Sequence, residues 1–227
     1  PNYTMIATIN AVIWVGAAPI LVDIEPETFC LDHSTLVVDP SCKALIYVSI
    51  NGRHGDLKSI RKFCDENGLA LVEDAAQAMG AKYENSYIGT YGIAGIYSFS
   101  PHKIITTGQG GMVVTDDAKF AQEVRQLKDF YRSGPAEDWH NQVGYNFKFT
   151  DLQAVLGIEQ MKEIDYRVER KKEIFRRYVD NLEGVVGIEF LQTNLETTPP
   201  WFVDMIVASN QMRDNLIKIL QGHNIGS

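Results

Sequence analysis

Lys103 is the residue of this sequence whose surroundings most clearly suggest covalent chemistry. It lies between an apolar, strand-like run at residues 95–99 and a loop rich in glycine and hydroxyl groups at residues 106–111. A lysine amine is a nucleophile for Schiff-base chemistry only after it loses its proton, which near neutral pH is unfavourable by about 3 pH units. A site must therefore desolvate the amine or place cations near it. A lysine beside glycines is most often a solvated loop residue, so this window alone favours the plainer interpretation.

Asp74 is the second candidate residue, and it strengthens the first. It ends an apolar run at residues 69–74, and small residues follow it at positions 75–80. In a parallel α/β sheet, ligands bind at the carboxyl ends of the strands. A helix cap or a solvated sheet edge explains the carboxylate equally well, so Asp74 alone does not settle the function.

Hydroxyl groups surround the candidate lysine. Ser98 and Ser100 lie shortly before Lys103, and Thr106 and Thr107 lie shortly after it. Hydroxyls and glycine-rich backbone can donate hydrogen bonds to a phosphate. An amine, an acid and phosphate donors on adjacent strands are the groups that pyridoxal phosphate requires, for its aldehyde, its ring nitrogen and its phosphate respectively.

The elements that must position these groups alternate between strands and helices. The predicted strands are residues 19–24, 44–50, 69–74, 95–99 and 111–115. The predicted helices are residues 4–16, 56–67 and 116–131, with Thr4, Asp56 and Asp116 as their N-caps. This alternation predicts an α/β fold with a mainly parallel sheet.

The pattern changes in the last third of the chain. It predicts helices at residues 150–182, strands at 185–191 and 202–208, and a helix at 211–220. We therefore predict a large domain at residues 1–160 and a smaller α+β domain, entered along a linking helix, at residues 161–227.

Composition excludes several classes of function. The net charge of −8 and the isoelectric point near 5.1 argue against a nucleic-acid partner held by phosphate contacts. Three cysteines without close pairing suit a reducing cytoplasm, where we expect the protein to be located. The most apolar segment, residues 6–22, is interrupted by polar and turn residues, so we expect no membrane span.

Several motifs together resemble the DegT/DnrJ/EryC1 family of sugar aminotransferases, which depend on pyridoxal phosphate. The main motifs are residues 72–78 (VEDAAQA), 98–103 (SFSPHK), 106–111 (TTGQGG) and 144–148 (GYNFK). Further matches at the start of the chain and on the helix after residue 150 extend the resemblance over nearly the whole sequence. The resemblance implies the aspartate aminotransferase fold, fold type I, with a seven-stranded large-domain sheet. Residues 49–53 (SINGR) are similar to the perosamine-forming group within this family.

The resemblance also implies roles for particular residues. Lys103 would hold the cofactor and move the proton between the substrate and the cofactor, and Asp74 would pair with the ring nitrogen. Gln77 would contact the region of the ring hydroxyl, and Ser98 would bind the phosphate. Asn146 would reach the cofactor phosphate of a neighbouring subunit, which implies a homodimer with shared sites.

The sequence departs from the family pattern at two positions. Met5 stands where an aromatic residue usually stacks on the cofactor ring, although a methionine can also pack against a ring face. Gln109 replaces a common glutamate and removes a negative charge near the site. The phosphate-binding segment that the family places before residue 1, and the rest of the small domain after residue 227, are expected to be missing.

The implied function is the transfer of an amino group, with glutamate as donor, to a keto group of a nucleotide-linked deoxysugar. Two alternatives stay open. A sugar dehydratase of the same family is one, although the dehydratases have histidine in place of the lysine. A non-catalytic member that binds the cofactor or a partner without turnover is the other.

Two further features have less specific interpretations. Arg53 could bind a sugar phosphate or a donor carboxylate, or it could be a turn residue that pairs with Asp56. His54, His102 and His140 lack the spacing of metal ligands, so we expect no metal site.

Overall fold

The alternating apolar runs of the first half form one sheet with helices around it, in a computed structural model that describes residues 1–134 and 138–226. The helices are α1 (Ile6–Trp14), α2 (Leu57–Glu66), α3 (Ala118–Leu127), α4 (Asp151–Met161), α5 (Ile164–Leu182) and α6 (Asn210–Gly222). The strands are β1 (Ala44–Val48), β2 (Ala70–Asp74), β3 (Lys82–Tyr83), β4 (Ser86–Tyr87), β5 (Ala94–Ser98), β6 (Gly111–Val114), β7 (Ile188–Phe190) and β8 (Met205–Val207).

The main sheet has the strand order β1-β2-β5-β6. β1, β2 and β5 are parallel, and β6 runs antiparallel to β5. The register pairs Val48 with Asp74, Asp74 with Ile96, and Ser98 with Gly111. The predicted α/β fold with a mainly parallel sheet is confirmed. This sheet has four strands in the described part of the chain.

The two faces of this sheet are covered differently. Successive side chains of a strand point to opposite faces, so Tyr47 and Glu73 share one face while Val48 and Asp74 share the other. The face of Tyr47 forms the hydrophobic core, where residues of β1, β2 and α2 are buried together. Asp74 and Ser98 lie on the second face, on the side of α1.

Side chains predicted as helix caps are only partly confirmed. Asp56 caps α2 by accepting a hydrogen bond from the backbone of Ser59. The predicted caps Thr4 and Asp116 are wrong. Met5 is the N-cap residue of α1 and makes no side-chain cap, while the Thr4 hydroxyl bonds to that of Thr8. Asp117 caps α3, one position later than predicted.

Two predicted elements differ from the structure. The expected strand at residues 19–24 is wrong, because its backbone makes scattered bonds and a single isolated bridge, Ile24 to Leu31, instead of a ladder. The expected helix at residues 116–131 ends at Leu127. Phe130 and Tyr131 have positive φ, and the backbone of residues 127–130 pairs with residues 145–147 instead of continuing the helix.

The last third of the chain contains helices followed by a small sheet. Thr150 opens α4 with a capping box that it forms with Gln153, and α5 follows at once. β7 and β8 pair antiparallel, and α6 follows them. The division into domains at residues 1–160 and 161–227 stays a prediction. None of the helices in the described ranges combines the length and the apolar character needed to cross a membrane.

Candidate active site

Asp74, Ser98 and Lys103 are positioned by the ends of two neighbouring parallel strands. Asp74 is the last residue of β2, and Ser98 is the last residue of β5. The register Asp74 to Ile96 places Asp74 and Ser98 on the same face of the sheet. Lys103 follows β5 in a tight turn in which its backbone N–H donates to the carbonyl of Ser100, at 3.0 Å. The sheet therefore brings an acid, a hydroxyl and an amine to one edge.

The Asp74 carboxylate is held by two donors. Thr8 Oγ1 of α1 donates to Asp74 Oδ2 at 2.7 Å, and the backbone N–H of Ala76 donates to Oδ1 at 3.1 Å. The carboxylate is half-buried. These donors fix its orientation on the open face of the sheet, and a carboxylate oxygen can accept a further donor from a ligand.

The Lys103 amine lies in a half-buried position that favours its neutral form. Burial lowers the pKa of Lys103 below the usual range of a lysine, and the negative charge of Asp74 partly offsets this effect. The Asp74 carboxylate is thus one of the charged groups that act on the Lys103 amine. Lys103 Nζ is 3.6 Å from the centroid of the Trp201 ring. The lowered pKa is the property that a lysine nucleophile needs.

Trp201 is a site residue that the sequence did not reveal. Its indole N–H donates to the backbone carbonyl of His102, and its own carbonyl accepts from Lys171 Nζ of α5 at 2.7 Å. A cation over an indole ring is stabilised by about 0.5–2 kcal/mol, depending on its exposure. No local pattern predicts this contact, since Trp201 lies 98 positions after Lys103 in the sequence.

The segment that carries Trp201 is fastened to the sheet by the residues after β1. Asn51 accepts from the backbone N–H of Phe202 at 2.9 Å and donates to its carbonyl at 2.8 Å. Arg53 makes a two-pronged ion pair with Asp204, at 2.6 and 3.1 Å, and is 2% exposed. The predicted alternative partner of Arg53, Asp56, is wrong, because Asp56 is occupied in capping α2. The guanidinium is thereby satisfied inside the protein, which leaves it little capacity for a substrate anion.

Gly52 allows the backbone after β1 to approach the backbone before Trp201 closely. Its φ is +79°, and a Cβ at this position would be 3.0 Å from the carbonyl oxygen of Pro199. Gln77 joins the same contact, because its Oε1 accepts from the backbone N–H of Asn51 at 2.8 Å. The structure therefore places Gln77 at the junction between the end of β2 and the Trp201 segment, and its contact with a cofactor ring stays a prediction.

Ser98 and the glycine loop remain available for a phosphate. Ser98 Oγ has a weak contact of 3.3 Å with Ser100 Oγ. The loop beyond Lys103 is fixed by Gln160 of α4, which donates to the carbonyl of Thr106 and accepts from its N–H, each at 2.9 Å. Gln109 is exposed, and its carbonyl accepts from Gln153 at 2.7 Å.

Met5 and Asn146 both lie at exposed positions. Met5 is 63% exposed at the start of α1. Asn146 is exposed in a bridge with Asp129, beside the ring of Phe147, which stacks on Tyr145 with centroids 5.0 Å apart. The roles that the resemblance implies for these two residues stay predictions.

The face of the sheet that carries Asp74 is partly exposed. Ile96, on the same face of β5, is 39% exposed. A cavity of about 540 Å³ is lined by Arg53, His54 and other polar side chains, and another of about 430 Å³ lies near Arg61. Neither cavity is lined by Lys103 or Asp74. Within residues 1–134 and 138–226, no three His, Cys, Asp or Glu side chains gather as a metal ion would require.

The groups at this edge fit pyridoxal phosphate. An amine with a lowered pKa can bond to its aldehyde, an oriented carboxylate on the same face can pair with its ring nitrogen, and hydroxyls at the end of the next strand can bind its phosphate.

Comparison with known proteins gives consistent results. The sequence pattern of the DegT/DnrJ/EryC1/StrS aminotransferase family matches residues 1–227. The GDP-perosamine synthase of Escherichia coli O157:H7 is 32% identical over 218 residues, which cover 95% of this chain. The crystal structure of DesV from S. venezuelae is 30% identical with a TM-score of 0.89 over 99% of the chain. The aminotransferase TlmJ from Streptoalloteichus hindustanus is 27% identical with a TM-score of 0.92 over 98% of the chain.

These relatives are longer than the chain. It spans 60% of the Escherichia coli protein, 60% of the DesV chain and 62% of the TlmJ chain. The likeness therefore includes nearly all of this chain and a little under two thirds of each relative.

Proposed function

Because the chain belongs to the DegT/DnrJ/EryC1/StrS aminotransferase family, we propose that it transfers an amino group to a keto group of a nucleotide-linked deoxysugar, using pyridoxal phosphate. When bound, this cofactor supplies an aldehyde that carries the amino group and a ring that withdraws electrons from the substrate carbon. Glutamate is the proposed donor. The cytoplasm is the proposed location.

The observation that carries the proposal is that Asp74 and Lys103 lie at or just after the ends of two adjacent parallel strands, where the Asp74 charge acts on the Lys103 amine. Asp74 is oriented by Thr8 and Ala76, so its carboxylate can keep a ring nitrogen protonated. Lys103 has a lowered pKa through burial, so its amine is available as a nucleophile and as a base. These are the two groups on which amino transfer with this cofactor depends.

Lys103 would perform the proton transfers. Its neutral amine would take the proton from the substrate carbon that carries the amino group, hold it at Nζ and release it again at the end of the transfer. Asp74 would pair with the ring nitrogen of the cofactor and stabilise its positive charge. Ser98 would anchor the phosphate, so that the reacting carbon stays within reach of Lys103.

A homodimer with shared sites is part of the proposal. Phe147 is 68% exposed beside Asn146, and the apolar residues of α1 and α4 include several that are largely exposed. Exposed apolar surface of this kind is typical of an interface. Asn146 of one subunit would then bind the cofactor phosphate of its partner.

The sugar substrate is best tested first with a GDP-linked ketosugar, since the Escherichia coli relative is named GDP-perosamine synthase. The test uses the full-length protein that contains this chain. Purified with pyridoxal phosphate, it should be yellow, and glutamate should bleach the colour in the absence of sugar. The ketosugar should then restore the colour and yield an aminosugar, detected by mass spectrometry.

Two variants make this test specific. Lys103→Ala should lose the yellow colour and the transfer, whereas Lys62→Ala, which changes an exposed lysine of α2, should retain both. A protein that takes up no cofactor would contradict the proposal and favour a non-catalytic member. Colour without any response to amino donors, together with loss of a sugar hydroxyl, would favour a dehydratase.

A further inference from the structure

We propose that Trp201 is a positioning residue that seats the protonated amine of Lys103 while this amine carries the proton between the substrate and the cofactor. The inference rests on the amino-transfer function proposed above and adds a residue to the same site. It gives a role to the contact between Lys103 Nζ and the indole ring, 3.6 Å from the ring centroid.

The Trp201 side chain and backbone are held by hydrogen bonds that do not involve the Lys103 amine. The indole N–H donates to the carbonyl of His102, the residue before Lys103, and the backbone carbonyl of Trp201 accepts from Lys171 Nζ. Asn51 holds the next residue, Phe202, by two hydrogen bonds. A ring bonded at both its edge and its backbone keeps one orientation. The Lys103 chain, with four rotatable methylenes, is the part that moves.

The environment of the amine must serve two opposite needs. As a base, Lys103 has to be neutral, and its burial favours that form. After the Lys103 amine has taken the proton, it is a cation, and the negative charge of Asp74 stabilises it. Asp74 is needed at the ring nitrogen, so a second partner for the cation is useful. The negative face of the Trp201 ring supplies that partner without adding a charge.

The proton count balances in this cycle. The bond from hydrogen to the substrate carbon would break, and its electron pair would stay with the substrate carbon. The proton forms a bond with Lys103 Nζ, and that bond breaks when the proton passes to C4′. No oxidant or reductant is consumed, because the amino group changes places with a keto group.

The test measures the amine itself. The full-length protein is loaded with pyridoxamine 5′-phosphate, which has no aldehyde and leaves Lys103 unbonded, and its lysines are labelled by reductive methylation with ¹³C-formaldehyde. The Lys103 signal, assigned with Lys103→Arg, should be shifted by the ring current of Trp201. In Trp201→Leu the ring-current shift should disappear, and the ratio of ammonium to amine at fixed pH should fall roughly tenfold. Trp201→Phe should lie between the two.

A second lysine serves as the matched control. Lys82 Nζ is 4.8 Å from the centroid of the Tyr87 ring, away from the site, and Tyr87 is 53% exposed. Tyr87→Leu should change the Lys82 signal and leave that of Lys103 unchanged. In turnover, Trp201→Leu should lower kcat about tenfold with little change in the KM for glutamate, and Trp201→Phe should recover part of the loss.

Other outcomes overturn the inference. An unchanged Lys103 signal in Trp201→Leu would do so, as would a rise in the ratio of ammonium to amine, which would mean that the ring acts by burial alone. A raised KM for the sugar with normal kcat would assign Trp201 to substrate binding. If glutamate fails to bleach the wild-type protein, the proposed function fails first. Normal bleaching with an insensitive Lys103 signal would reject this inference alone.

Discussion

Glu73 and Asp74 are neighbouring carboxylates on β2 that point to opposite faces of the sheet. Glu73 is 0% exposed and accepts hydrogen bonds from the backbone N–H groups of Gly89, Tyr91 and Gly92, at 2.5–2.7 Å. Burial raises its pKa, and these donors offset part of that effect. Asp74 is half-buried and faces Thr8 and the Lys103 amine.

The difference between these two carboxylates indicates a structural role for Glu73 and a chemical role for Asp74. All three backbone donors to Glu73 come from one loop, so the Glu73 carboxylate holds that loop against the sheet. Asp74 keeps capacity for a ligand because its face is open and its two donors occupy only part of its oxygens. Four variants test this distinction, in the order of the expected effect.

Removing the Asp74 carboxylate should have the largest effect, and it should fall on activity. Asp74→Ala leaves a ring nitrogen without its partner, which costs about 3–5 kcal/mol, or roughly a 100- to 5,000-fold loss of kcat/KM. The free energy of unfolding should change by less than about 1 kcal/mol, since this face is open. Steady-state kinetics and urea unfolding measure the two quantities. Near-normal turnover would remove Asp74 from the chemistry.

Removing the Glu73 carboxylate should reverse the pattern. Glu73→Ala leaves three backbone N–H groups without their acceptor, and we expect a loss of about 3–5 kcal/mol in the free energy of unfolding. The exposed Glu66 gives a matched control, and Glu66→Ala should cost less than about 0.5 kcal/mol. Urea unfolding separates the two variants. A Glu73→Ala variant as stable as Glu66→Ala would contradict the structural role of Glu73.

Thr8 connects α1 with the chemical carboxylate, so its effect should be smaller and of the same kind as that of Asp74. Thr8→Val removes the 2.7 Å hydrogen bond to Asp74 Oδ2, which should lower kcat/KM by about five- to tenfold. Thr115→Val makes the same change at a hydroxyl bonded to the Ile93 carbonyl and should leave kcat/KM unchanged. Equal losses in both variants would point to stability instead of orientation.

The smallest effect concerns pH. The Asp74 charge raises the pKa of Lys103 against the larger lowering by burial. Asp74→Asn should therefore lower the pKa further, and the amine should be neutral over a wider pH range. At pH 7 the second-order rate of pyridoxal phosphate capture should rise about two- to fivefold, although turnover falls. Stopped-flow absorbance across pH 6–10 measures this rate. A capture rate that falls at every pH would contradict the inference that the Asp74 charge raises the pKa of Lys103.

Local sequence was sufficient for the strands that carry the site. The strands predicted at residues 69–74 and 95–99 are β2 and β5 in the structure, with bounds that differ by one residue. The run at residues 19–24 failed because apolar character alone does not supply a neighbouring strand. The helix predicted to residue 131 failed because tertiary pairing with residues 145–147 overrides local helical periodicity.

The contacts between distant segments could not be predicted. Trp201 and Asp204 are ordinary residues in their local sequence, and their roles come from contacts with Lys103 and Arg53, which are distant from them in the sequence. The alternative partner considered for Arg53 was its sequence neighbour Asp56. Spacing within a motif constrains residues that share an element, but it carries no information about which distant segment will cover them.

The fastening of Asn51 and Arg53 to residues 202–204 also sets an order in time. Asn51 and Phe202 are 151 positions apart, so this junction can form only after both have left the ribosome. At a synthesis rate of about 5–20 residues per second, Lys103 emerges roughly 5–20 s before Trp201. During that interval a nascent chain can pair β1, β2 and β5, but Trp201 is not yet available to contact Lys103. The surroundings of the reactive amine are therefore completed later than the sheet.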